Sequence, residues 1–272
     1  MKNIFIAATL LVFCSCTIQR RIYSPTQINN PSLQKQGDHS FALTYGGPSG
    51  FDFTGGVALT NRLALIGGAY TYRNNDHQTA QDLFSDITTN AQILYRHKGF
   101  HGGLGLYFPF SKKASTTYAS FYAGYTKGNL KMDEDNTQTD NSGATPTTTT
   151  NKFFYNSDIG RYFLQGGVNL YSDHFEASFL VKYNYVTYSN ATTNYSTTDQ
   201  SNSGLPPLGY SKNSQFIDYG FDAKYFFTDN HRLGITIFGN GTSRLNRKEF
   251  NFNYYGYRIG FGLVVKNPFA KK

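Results

Sequence analysis

Phe175-Glu176-Ala177-Ser178-Phe179-Leu180-Val181-Lys182-Tyr183-Asn184-Tyr185-Val186-Thr187 is the stretch that decides the fold. Its odd positions carry Phe175, Ala177, Phe179, Val181, Tyr183 and Tyr185, while Glu176, Ser178, Lys182 and Asn184 stand at even ones. Successive side chains of a strand point to opposite faces, so this period of two gives one apolar and one polar face. The alternation returns in Ile217 to Phe227, where Ile217, Tyr219, Phe221, Ala223 and Tyr225 oppose Asp218, Gly220, Asp222 and Lys224. Ala119 to Tyr125, Tyr162 to Tyr171 and Asn251 to Val265 repeat it, the last with Ile259, Phe261 and Leu263 against Arg258, Gly260 and Gly262. The alternation predicts an all-β chain.

Composition narrows the choice. Of 272 residues, 17% are aromatic and only 15% charged, which excludes a charged, aromatic-poor disordered chain. Past the first sixteen residues no stretch approaches the ~20 apolar residues that a spanning helix needs. Two β architectures remain. A sandwich buries its apolar faces against each other and wets the polar ones. A membrane barrel turns apolar faces to lipid and polar, Gly-rich faces inward. Strands of eleven residues and more, Gly103, Gly105, Gly220, Gly260 and Gly262 on one face, and Tyr and Phe near strand ends favour the barrel.

Loop lengths give an independent handle, since membrane barrels alternate short periplasmic turns with longer outer loops. Short turns fall at Thr60 to Arg62, Phe110 to Ala114, Asp173-His174 and Thr228 to His231. Long polar stretches fall at Asn74 to Gln92, Asn129 to Thr150, Ser189 to Asn213 and Gly241 to Lys248, with Gly47 to Gly50 the one short outer link. Strands near 38–46, 51–59, 62–73, 93–109, 115–128, 152–172, 175–188, 214–227, 231–240 and 250–266 place every short turn on one side. The expectation is an antiparallel up-and-down transmembrane β-barrel of about ten strands, twelve being possible; Leu83 to Arg96, which would break the alternation as a separate spanning strand, is read as an outer extension of its hairpin. Both termini then come out on the short-turn, periplasmic side.

Lys2, the apolar run Ile4 to Phe13 and Cys14-Ser15-Cys16 form an export signal over 1–15. Cys16 is the expected lipid attachment site, a plain cleaved signal being the other reading. Residues 16–37 read as a lipid-linked periplasmic tether, 38–266 as the barrel and 267–272 as a tail. Both cysteines lie within the first sixteen residues, so the barrel has no disulfide and no thiolate metal site.

Together, the export signal, alternating strands, Asn/Thr/Ser-rich outer loops and a last strand from Tyr254 to Val265 resemble the outer-membrane β-barrel (lipo)proteins of Gram-negative bacteria. The resemblance implies location in the bacterial outer membrane with the N-terminus on the periplasmic side. Phe269 is followed by Ala270-Lys271-Lys272, unlike members that end on an aromatic residue.

Asp52, Glu176, Lys182, Asp218, Asp222, Lys224, Arg232 and Arg258 are the candidate inward-facing charges. They could line a solute path, or pair with one another across a narrow lumen, since buried charges need compensation. Ten strands sit close to the eight whose interior side chains fill, so a largely filled polar lumen is expected. Asp76, His77, Asp82, Asp86, His97 and His101 form an outer-side set that could activate water, as in one ten-stranded outer-membrane protease family. Their order and spacing do not match that family's paired acidic motif, so no catalytic residue, metal or cofactor is assigned. A net charge of +8 suits contact with lipid phosphates, including lipopolysaccharide, and export leaves no nucleic-acid partner. The leading function is a structural, adhesive or interaction protein with an unidentified extracellular partner. A narrow, porin-like solute channel and a rim-sited hydrolase are the alternatives.

Overall fold

Each alternating stretch closes onto its neighbours in a ring. The computed structural model describes residues 18–81, 85–110, 117–172, 174–202, 204–206, 208, 213–227, 232–246 and 253–267. Its strands are β1 (Arg21–Tyr23), β2 (His39–Gly47), β3 (Gly50–Ala58), β4 (Leu63–Gln81), β5 (Ile87–Pro109) and β6 (Thr117–Asp140). They continue with β7 (Thr147–Tyr171), β8 (Phe175–Thr193), β9 (Asn213–Phe226), β10 (Leu233–Arg244), β11 (Asn253–Tyr254) and β12 (Tyr257–Lys266), with one short helix, α1 (Thr197–Asn202). Ten strands form a closed antiparallel barrel in the order β10-β12-β2-β3-β4-β5-β6-β7-β8-β9, and β1 pairs in parallel with β11. The seam is closed by β12 against β2, from Ile259 opposite Gly47 to Lys266 opposite Ser40. No helix among the described residues is long and apolar enough to cross a membrane.

The outside carries a belt of exposed apolar side chains. Phe179 is 70% exposed, Val181 53% and Phe221 46%, while Leu180 between them is buried. On β5 the outward run is Phe100, Leu104, Leu106 and Phe108. Phe100 to Phe108 covers ~27 Å of strand, or about 20 Å of height at a tilt near 40°, close to the ~25 Å apolar band of membrane barrels. Tyr45, Tyr125, Tyr162, Tyr219 and Tyr257 are exposed toward the end where the strands run on, and Phe108, Phe110, Phe175 and Phe227 toward the short-turn end. Aromatic rings with one wet and one dry side settle at such interfaces.

Above the belt the two faces exchange roles. On β6 the apolar side chains Phe121 and Tyr125 face out, whereas Leu130 and Met132, in the opposite parity, face in and are fully buried. On β5 the switch runs from outward Phe100 to inward Tyr95, Ile93 and Ala91. These inward residues join Tyr155, Ile159, Val186, Tyr188 and Phe216 in one hydrophobic core. The barrel is therefore a membrane protein below and a water-soluble β-structure above.

This corrects the expected long loops. The polar stretches at 74–92 and 129–150 continue the ladder, with β4 and β5 paired to Gln81 opposite Thr88 and β6 and β7 to Asp140 opposite Thr147. Within Leu83 to Arg96, Ile87 to Arg96 belongs to β5 as an extension of that hairpin, while Leu83 and Phe84 lie outside the described residues. β6 alone has 24 residues, or ~80 Å of strand. Thr and Asn at these tips lack an apolar stripe, yet Thr137 meets Thr150 and Thr139 meets Thr148 across the ladder. The turns expected at Phe110 to Ala114 and Thr228 to His231 fall largely outside the described residues, as do Cys16 and the leader.

Of the expected tether 16–37, the described residues 18–37 are not free. Ile22 to Leu33 are buried, and the segment runs lengthwise through the lumen. It then turns at Gly37, whose φ of 84° is a conformation L-residues rarely adopt, and enters β2.

Val181→Arg places a charge on the lipid side and is expected to destabilise the barrel in vesicles by ~2–4 kcal/mol. Val181→Leu should be near neutral. Urea unfolding of the reconstituted protein, followed by tryptic accessibility, compares the two.

Candidate functional site

The lumen is built by the inward residues of the belt together with the threaded segment. From Ser24 to Leu33 that segment is extended and has no ladder partner. Its buried N–H and C=O groups must find partners elsewhere. Wall side chains provide them. Arg161 Nη1 donates to the Ser24 carbonyl at 3.2 Å, Asn240 Nδ2 to that of Thr26 at 3.0 Å and Gln165 Nε2 to that of Asn29 at 2.7 Å. Lys224 Nζ donates at 2.8 Å both to the Asn30 carbonyl and to Ser32 Oγ. In return Asn29 Nδ2 donates to the carbonyls of Gly55 and Gly67, both at 2.9 Å, and Asn30 Nδ2 to Ser178 Oγ at 2.7 Å. Thr44 Oγ1 donates to Gln27 Oε1 at 2.6 Å, and Tyr23 Oη to Asp218 at 3.0 Å. Strands β2 to β10 each supply at least one such contact once Glu134, Asp76 and His101 are included.

Fit is steric as well as polar. A Cβ on Gly56 would lie 2.5 Å from Pro31 Cγ, so glycine leaves the room that the proline ring occupies. Leu33 packs among Ala58, Ile66, Tyr107, Tyr118 and Tyr171 at the short-turn end. At the other end Tyr23 stacks on Phe216 at 3.9 Å and carries the Arg161 guanidinium 4.8 Å above its ring.

The structure places the predicted charges as follows. Asp52 and Arg258 form a buried ion pair, and Tyr72 donates to Asp52 as well. Glu176 binds Lys266 at 2.7 Å, a partner not anticipated. Asp222 and Lys224, on one strand, pair at 2.9 Å. Lys182 faces Asp218 across the β8–β9 register, with its ammonium 4.6 Å from the Phe163 ring centre. Arg232 stands half-buried at the short-turn rim, where its carbonyl accepts from the Lys266 N–H. Sequence reasoning missed Arg161, which is fully buried and which no carboxylate among the described residues pairs. Its signal was available, because Arg161, Gln165 and Asn169 share the inward parity of β7 against Tyr162, Leu164, Val168 and Leu170.

The outer Asp/His set does not assemble. Asp76 is held by Arg21 at 2.6 Å, His77 and Asp86 face solvent, and Asp82 lies outside the described residues. His97 and His101 are buried inside the lumen, where the His101 ring meets Asn29 at 3.2 Å. Among the described residues no three His, Cys, Asp or Glu side chains are placed to hold a metal ion.

No protein-family model matches the chain, and no curated protein matches it either. Among solved structures it is similar to the outer membrane protease OmpT from Escherichia coli, at 10% identity and a TM-score of 0.52. That similarity covers 89% of this chain and 96% of the other. The two share the ten-stranded barrel fold, and the chain is an all-β membrane barrel of that architecture.

Asp52→Ala leaves Arg258 buried without its counter-ion and is expected to cost ~3–5 kcal/mol, part of which Asp52→Ala with Arg258→Met should recover. Equilibrium urea unfolding in detergent measures both. Independently, a short thiol-specific crosslinker should join Asn30→Cys to Ser178→Cys in native membranes. A free tether would give no such product.

Proposed function

We propose that this protein is a closed, non-conducting barrel of the bacterial outer membrane that works through its outer surface and tall hairpins. It is a structural, adhesive or interaction protein without a catalytic centre. The observation that carries this reading is the lumen itself, filled from Tyr23 to Leu33 by the chain's own backbone and bonded strand by strand to the wall. A solute path would need that segment to leave, and its departure would strip partners from Arg161, Gln165, Lys224 and Asn240 together. A hydrolase would need an acid and a base converging on accessible space, whereas His97 and His101 are walled in and Asp76 is neutralised by Arg21.

Outer-membrane lipid is the proposed partner around the belt. Lys98 and Lys127, both exposed, flank a surface pocket of about 480 Å³ with Asn129 and Asp158. An apolar groove of about 790 Å³ follows, lined by Gly102, Leu104, Ala123, Tyr125, Tyr162 and Leu164. Ammonium groups over an apolar groove suit a phosphorylated headgroup with its acyl chain below, as in lipopolysaccharide. Farther out, the extended β4 to β7 hairpins would present Asn, Thr and Asp side chains to an extracellular partner.

Reconstitution of the full chain in planar bilayers tests the closed lumen. Silence at voltages that reveal porin currents is expected, and stable single-channel steps would return the protein to the channel class.

A further inference from the structure

The direction of the threaded segment has a topological result. Leu33 lies among Tyr107, Tyr118 and Tyr171 near the short turns, and Asn29 and Asn30 meet Gly55, Gly67 and Ser178 within the belt. Tyr23 lies farther along, and Arg20 then pairs with Glu134, seven positions up β6 from the exposed Lys127. Gln19 exchanges two hydrogen bonds of 2.7 Å with the Gln78 side chain, near the tip of β4. At the opposite end the Asn267 N–H donates to the His39 carbonyl at 2.7 Å. The two ends of the described chain therefore leave the barrel by opposite mouths. Ile18 packs against the core formed above the belt, not below it.

Cys16 is two residues ahead of Ile18, so their Cα atoms are at most ~7 Å apart. We infer that the barrel carries its own N-terminus through the lumen to the cell-surface mouth, so that acyl chains on Cys16 enter the outer leaflet from outside. The lipid part rests on reading Cys16 as acylated. A way down to the membrane is present beside the segment. The wall is lowest at the β2–β3 hairpin, where Arg21, Gly47, Pro48, Asn74, Tyr255 and Tyr257 line a cleft of about 370 Å³. Tyr257 is 70% exposed on the belt side of that lip. Five positions separate Cys16 from Arg21, a reach of up to ~18 Å once Gln19 and Arg20 release Gln78 and Glu134, enough to cross the lip with the segment from Arg21 inward still seated.

Thiol labelling of intact cells tests this with the full chain. Gln19, Gln36 and Ser142 are exposed, at the two ends of the segment and at the β6–β7 tip, and Cys14 and Cys16 are the native cysteines, so the wild-type chain sets the background. With a membrane-impermeant maleimide, Gln19→Cys should label as fully as Ser142→Cys, and Gln36→Cys only after the outer membrane is permeabilised. If Ser142→Cys labels while Gln19→Cys stays silent until permeabilisation, the segment does not reach the surface and the inference falls. If Gln36→Cys labels and Ser142→Cys does not, the barrel is oriented the other way and the surface placement falls with it. Metabolic acyl labelling should be lost in Cys16→Ala and kept in Cys14→Ala. Label retained in Cys16→Ala overturns the anchor while leaving the thiol result to judge the route.

Discussion

An extended backbone without a ladder, enclosed where water is scarce, must have each N–H and C=O met by something else. That requirement organises the lumen. The wall's long amides and cations, Gln165, Asn240, Lys224 and Arg161, each donate to a carbonyl of the segment, and the segment's own Asn29 and Asn30 donate back. The charges are arranged around this task. Asp222 neutralises the Lys224 that binds the segment, and Asp218 accepts from the Tyr23 hydroxyl. A lumen meant only to fill itself could have used Leu and Phe, as the core above the belt does. The amide-rich composition is the imprint of a peptide that has to be held.

The second constraint is a change of solvent along one strand. Within the belt, lipid outside and a polar segment inside put apolar residues on the outer parity. Above it, water outside and an apolar core inside put them on the other. β5, β6 and β7 each obey both rules in succession, with the β4–β5, β5–β6 and β6–β7 ladders running through and β7–β8 shifting register between Asn156 and Asp158. The aromatic girdle from Tyr45 to Tyr257 lies where one regime gives way to the other. The tall hairpins are thus a folded body with their own hydrophobic core.

Most of the barrel was legible because period two survives wherever one face is apolar. Phe175 to Thr187 and Ile217 to Phe227 showed parity, strand identity and the lipid-facing side. Legibility failed where that contrast vanished or flipped. Thr147 to Asn151 alternates nothing, so it reads as loop although it is strand. In Leu130 to Asp133 the parity is reversed, which a search for a single continuous face passes over. The threaded segment was the deepest miss. Pro25, Pro31, Asn29 and Asn30 are ordinary linker residues, and whether a polar extended stretch lies in water or in a polar lumen depends on its surroundings rather than its own pattern. Lys266 escaped for a related reason: it ends β12, and its partner Glu176 is remote in sequence.

The last strand closes the ring against the first barrel strand, β12 on β2, around a segment that precedes both in the chain. A closed ring of ten strands offers little room to pull a side-chain-bearing peptide through afterwards. The occupant must therefore be lying in the half-formed sheet before the final seam zips. This makes the N-terminal segment a template as well as a filling. Its Asn and Tyr side chains can gather strands β3, β4, β8 and β9 from both sides of the unclosed sheet while the seam is still open. Closure then becomes the step that records whether those strands were gathered in the right order.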